Sequence, residues 1–96
     1  MNTPFNSYNK NDIRIETVIL EILEKNKYYE QTGKFKCAFR CKSNAGSRLC
    51  IAWERYPNIK AGDKVCMTGY IKNDVFIVKT LLIIKKFEQV TVKSEL

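Results

Sequence analysis

The chain has 96 residues, 45% of them hydrophobic and 28% charged, with 17 Lys and Arg against 10 Asp and Glu for a formal charge of +7. That is enough chain for one domain with a modest core and too little for a second. No apolar run reaches the roughly 18 to 20 residues a membrane span requires, and the N-terminal MNTPFNSYNKND has no cationic and then apolar leader, so a cytoplasmic protein with no membrane partner is expected.

The charge is unevenly distributed. Residues 1–30 hold four cations and five acids, residues 31–96 thirteen cations and five acids, and no acid occurs between Glu30 and Glu54. Positive charge concentrated in the larger part of a compact domain points to a polyanionic partner, nucleic acid before membrane because no basic amphipathic helix is evident.

Residues 1–12 are polar and aperiodic, with Asn four times, and read as a flexible N-terminal arm. In IRIETVILEILEK, 13–25, Ile15, Val18, Ile19, Ile22 and Leu23 fit a helical stripe, while Ile13, Ile15, Ile19 and Leu23 also fit alternation. The β-branched content and the alternating segment after Gly33 favour a strand, which leaves Tyr28 and Tyr29 in a loop before Gly33, able to grip a base or to cap a barrel end. KFKCAFRCK alternates Phe35, Cys37, Phe39 and Cys41 against Lys36, Ala38, Arg40 and Lys42, a strand at period two with Phe35 and Phe39 toward the core. SNAGS, 43–47, is turn chemistry, and RLCIAW resumes an extended run, giving a hairpin over 34–54. Pro57 ends it. Ala61-Gly62-Asp63 marks a turn, KVCMTGYIK puts Val65, Met67, Gly69 and Ile71 on one face with Tyr70 outward, and Gly69 signals a bulge or sharp bend. Asn73-Asp74 predicts a further hairpin into VFIVKTLLII, 75–84, where Phe76 is expected in the core. The end, KKFEQVTVKSEL, either adds a short edge strand or frays.

Five strands with these connections predict an all-β fold: a small five-stranded antiparallel barrel like the oligonucleotide/oligosaccharide-binding (OB) fold, with a domain over 13–86 and a C-terminal extension over 87–96. Strand count alone leaves a small Src-homology-3-like barrel open. Four cysteines, at 37, 41, 50 and 66, in a reducing compartment do not suggest a disulfide framework. On a strand Cys37 and Cys41 lie about 13 Å apart, too far to share one zinc, so the cysteines read as small apolar filler and no metal or other cofactor is expected. With no histidine, no P-loop and no dinucleotide fingerprint, catalysis is not expected either.

The stretch LCIAWERYPNIKAGDKVCMTGYIK, 49–72, about a quarter of the chain, resembles the passage from the third to the fourth strand of bacterial single-stranded DNA-binding proteins. In that family a strand ends in an aromatic, here Trp53, and a turn like Ala61-Gly62-Asp63 opens a strand of the form seen at Val65, Met67, Gly69 and Ile71. The family's helix between these strands has no room in 54–60, and its acidic C-terminal tail has no counterpart in VTVKSEL, so the chain looks like a reduced, divergent module.

The resemblance implies binding of single-stranded DNA without catalysis, as an accessory to a replication or recombination enzyme such as a polymerase, primase or helicase, by analogy one of a mobile element. An RNA-binding barrel and a protein-assembly subunit docking on a larger replication enzyme are the alternatives. Binding a single strand needs cations along the phosphates and flat side chains under the bases. Lys34, Lys36, Arg40, Lys42 and Arg48 supply an expected cationic stripe, joined by Arg55 and Lys72, and Trp53, Tyr56 and Tyr70 are the expected stacking residues. Trp53 carries a conflict: the resemblance places it in the groove, whereas alternation groups it with Leu49 and Ile51 as core unless the strand breaks near Tyr56 and Pro57.

Overall fold

The computed structural model describes residues 12–88, and no helix occurs among them. Five strands, β1 (Ile13–Tyr29), β2 (Lys34–Ser43), β3 (Gly46–Ala52), β4 (Lys64–Lys72) and β5 (Val75–Lys85), close into a barrel in the order β1-β2-β3-β5-β4. The all-β, OB-fold-like barrel expected from the sequence is the architecture the chain adopts. All seams are antiparallel except β3–β5, which is parallel and only three pairs long, from Cys50↔Phe76 to Ala52↔Val78. The expected arm and C-terminal extension fall mostly outside the described residues.

β1 is longer than expected and irregular. It pairs with β4 through Ile13–Val18 and with β2 from Ile19 to Tyr29, with register shifts between Ile19 and Glu21, Ile22 and Glu24, and Glu24 and Lys27. Each shift inserts an unpaired residue and turns the following side chains toward the other face. Hence Ile19 is buried and Ile22 packs on the core, while Leu23, expected inward, is 46% exposed. Tyr28 and Tyr29 are corrected from loop to strand, paired with Phe35 and Lys34. Asn26 takes a left-handed φ of 55° in the last irregularity, and its Oδ1 accepts hydrogen bonds from the Tyr56 N–H (2.8 Å) and the Cys37 thiol (3.2 Å).

The core lies along the inner wall of β2 and β3, where Cys37, Phe39, Cys41, Cys50 and Ala52 have no exposure, facing Val65, Met67, Phe76 and Val78. Leu49 and Ile51, expected in the core, are on the outer wall and half-buried. Phe35 is half-buried beyond the barrel wall, and Ile71, at the end of β4, is 46% exposed because the barrel ends there. Gly69 sits at the register shift of β4, where a Cβ would collide with the Ile77 carbonyl oxygen. Asn73 and Asp74 both take positive φ (53° and 67°), the mirror-image turn that matches strand twist in a two-residue hairpin.

One end of the barrel is plugged by the β3–β4 connection through Ile59, which is completely buried. Asp63 fastens this plug. Its carboxylate accepts from the Lys60 N–H (3.0 Å), the Phe87 N–H (2.8 Å) and the Lys86 ammonium (2.8 Å), while its carbonyl accepts from the Ile19 N–H (2.9 Å). Burial by itself would raise the Asp63 pKa, but these hydrogen bonds and the Lys86 charge outweigh it and hold the carboxyl below its ordinary value.

Candidate nucleic-acid interface

Alternation along β2 and β3 settles the position of Trp53. The pairs Cys37↔Ala52 and Phe39↔Cys50 face inward, so Lys36, Ala38, Arg40 and Lys42 share the outer wall with Leu49, Ile51 and Trp53. Trp53 follows the end of β3 at Ala52, and it does group with Leu49 and Ile51, a group that is the outer one. At 37% exposure Trp53 stands edge-on to Tyr29, with ring centroids 5.5 Å apart.

Lys36 completes this cluster. Its ammonium lies 5.3 Å from the Tyr29 ring centre and 5.5 Å from that of Trp53, and 3.6 Å from the Glu24 carboxylate. The Tyr29 hydroxyl donates to Glu24 (2.9 Å), which raises the phenol pKa. Two aromatic rings are thus fixed beside a cation whose own charge is partly met by Glu24. On the opposite face of the same hairpin, Tyr28 packs on Phe35 (5.1 Å) and the Arg55 guanidinium lies over Phe35 (4.9 Å).

The other expected residues separate into three places. Lys34, Arg40 and Lys42 are exposed on β2, Arg40 opposite Glu21, and Lys36 to Lys42 spans about 20 Å of strand. Arg48 departs from the stripe: it pairs with Cys41 and therefore shares the inner face, where it lines a cavity of about 270 Å³ at the open end of the barrel with Ile13, Ile15, Ile71 and Phe76, with Lys42 at its rim. Tyr56 also lies apart, half-buried against the core, its hydroxyl on Glu54 (3.0 Å); burial first, and then that hydrogen bond, drives its pKa well up. Tyr70 is half-buried on the outer wall of β4 beneath the Lys79 ammonium (5.7 Å), opposite Ile77, which itself pairs with Ile51. A ridge Ile51, Ile77, Tyr70 therefore continues outward from the Trp53 cluster. Lys72 is exposed at the end of β4.

Sequence reasoning places Tyr29 in a loop and gives Glu24 no role, since both lie beyond the irregularities of β1 that hide its period. Cys41 and Cys50 face each other inside the barrel with sulfurs 3.0 Å apart, and the hydrogen bond between them lowers the Cys41 pKa and raises that of Cys50. Among the described residues no three His, Cys, Asp or Glu side chains converge as a metal site, and no helix is long and apolar enough to cross a membrane.

No family model matches the sequence, and no curated protein matches it. Among solved structures the barrel is similar to part of TiaS, in the crystal structure of its ZRD-deleted mutant in complex with agmatine. The TM-score is 0.60 at 20% identity, over 86% of this chain and 24% of that one. The chain thus spans about a quarter of that protein. At this identity the likeness shows the fold alone.

Proposed function

We propose that this chain is a non-catalytic, cytoplasmic OB-fold module that binds single-stranded DNA across the outer wall of β2 and β3, as an accessory to a replication or recombination enzyme, in keeping with its resemblance to bacterial single-stranded DNA-binding proteins. The observation that carries the reading is the fixed pair of rings, Tyr29 and Trp53, beside Lys36. Such a pair offers faces for stacking that any base can use, worth about 1 to 3 kcal/mol per base. Exposed Lys34, Arg40 and Lys42 along the same wall provide for the phosphates. Arg48 is left out of this surface, and Tyr56 with it.

Trp53, the single tryptophan, is the built-in reporter. Titration with a dT 30-mer is expected to quench its fluorescence, and Trp53→Ala to lower affinity by about 1 to 3 kcal/mol. With three outer cations on phosphates, the logarithmic salt slope should be roughly 2, from about 0.7 per neutralised phosphate. Absence of binding at low salt, or binding indifferent to salt, would remove the proposal. Equal titration curves for matched DNA and RNA strands would favour the broader single-strand reading, in which no contact to the 2′-hydroxyl is made.

A further inference from the structure

Among the described residues, β5 is paired along one side only for more than half of its length. On that side β4 accompanies it from Lys72↔Val75 to Lys64↔Lys85, with register shifts that leave Lys79 and Ile84 unpaired and a regular stretch from Thr80 to Ile83 between them. On the other, β3 pairs with Phe76, Ile77 and Val78, and then the chain bends away at Trp53. Among the described residues, no strand lies on this second side from Lys79 to Lys85, and no backbone hydrogen bond crosses from it to the β3–β4 connection. A groove of about 240 Å³ runs there instead, between Tyr56, Pro57 and Ile59 on one bank and Leu81, Leu82 and Ile83 on the other. In an antiparallel strand alternate residues turn their N–H and C=O groups away from the paired neighbour, so this edge offers open backbone partners.

The sequence of the edge, KTLLIIK, is aliphatic and β-branched with no Pro or Gly, and Leu82 and Ile84 are 68% and 46% exposed. An open edge of this composition is a template for one more strand. Its flanks say which strand. In a two-fold antiparallel pairing of two copies centred on Leu82, Lys79 of each copy would stand opposite Lys85 of the other, and like charges directly opposite destabilise a sheet. Both chains would also bring a charge of +7. A second copy is therefore disfavoured and an acidic segment favoured. Lys79 already holds Asp12 at 2.9 Å, so a carboxylate at this end of the edge has a precedent within the chain.

We propose that the free edge of β5, Lys79–Lys85, is a strand-addition site for an extended segment of a second protein, apolar at alternate positions and acidic at its flanks. The proposal does not depend on the nucleic-acid reading, because it rests on the open backbone of β5 beyond its three pairs with β3 and uses none of Tyr29, Lys36 or Arg40.

The test uses the full chain and a blocked synthetic peptide, Glu-Val-Thr-Val-Thr-Val-Glu, with a counterpart carrying Lys at both ends. Amide hydrogen exchange of the free protein should alternate along the regular stretch Thr80–Ile83, slow where β4 is the partner and fast where the edge is open. Adding the acidic peptide should slow the fast set, and the Lys-flanked peptide should bind about tenfold more weakly. Leu82→Lys should lose peptide binding while keeping the melting temperature and the affinity for dT 30-mer. Uniform protection of Thr80–Ile83 in the free protein, no protection with either peptide, or equal binding of both peptides would overturn the proposal. So would a concentration-dependent dimer in sedimentation that Leu82→Lys dissolves, which would assign the edge to a second copy.

Discussion

The two walls of the β2–β3 hairpin invert the usual ranking of residue sizes. The buried stretch of the inner wall is Cys37, Phe39, Cys41, Cys50 and Ala52, without exposure and small in all but one place; the outer wall carries, beside the small Ala38, the larger Leu49, Ile51 and Trp53, only partly covered. The cause is the bore of a five-stranded barrel. Phe39 and Phe76 share the interior with Ile19, Ile59, Val65 and Met67, and the residues beside Phe39 on β2 and β3 must be small for the strands to close around this set. Larger side chains are left to the outside, where a flat ring with one free face can act on a ligand. Burial here follows available volume before hydrophobicity.

The largest effect should come from opposing these walls directly. Phe39→Ala removes a buried ring from the interior and should cost about 3 to 5 kcal/mol of stability. Trp53→Ala, on the outer wall beside Tyr29 and Lys36, should cost about 1 kcal/mol, because the ring is already partly in water. Urea denaturation of the two variants measures the difference. Similar losses would mean that Trp53 carries core packing and would break the distinction between the walls.

The inner wall is also closed at one end by the loop that Asp63 fastens, and this can be loosened chemically. Because the folded-state pKa of Asp63 lies below the ordinary 3.8, its ionised form stabilises the fold above that range, and the contribution is lost as pH falls through the folded value. Denaturation midpoints should therefore fall below about pH 4, and Asp63→Asn should lower stability at neutral pH while flattening this acid dependence. The expected loss at neutral pH is about 2 to 3 kcal/mol, since the amide cannot accept from the Lys60 and Phe87 N–H groups and hold the Lys86 ammonium equally well. An unchanged acid profile in Asp63→Asn would shift the origin of acid sensitivity to other carboxylates.

How far the sequence could be read depends on the same geometry. The inward set of β5 passes from Phe76 and Val78 to Leu81 and Ile83 across the register shift beside Gly69, whereas β2 and β4 keep a clean period of two, and KFKCAFRCK, Gly69 and Asn73-Asp74 mark their places without help from tertiary structure. β1 does not: its three irregularities move Ile22 inward and Leu23 outward, and a fixed period assigns one of them to the wrong face. The site suffers from the same limit. Parity puts Lys36, Arg40 and Lys42 together, but whether that face is inner or outer for Trp53 depends on the register with β3, which a sequence of two similar apolar sets leaves open. Arg48 falls outside the expected stripe for this reason, lying one residue out of phase across the turn. The pairing of Lys36 with Glu24 is a contact between strands brought together by the β1 irregularities, and no local pattern announces it.

The finest test of the two walls compares two arginines that composition cannot distinguish. Arg40 lies on the outer wall with Lys36 and Lys42, while Arg48, paired with Cys41, faces the open end of the bore among Ile13, Ile71 and Phe76. If a single strand lies along the outer wall, Arg40→Ala removes one phosphate contact, so the salt slope should fall by about 0.7 and affinity at low salt should drop accordingly. Arg48→Ala should leave the slope unchanged, because Arg48 shares the inner face with Cys41 and lines the cavity rather than the outer wall. Both variants should remain folded, Arg40 because it is exposed and Arg48 because it makes no ion pair among the described residues. Fluorescence titration of Trp53 over a series of salt concentrations gives both slopes. Equal decreases would place the strand across the hairpin turn and into the open end of the barrel, and a decrease in Arg48→Ala alone would move the binding surface to that end altogether.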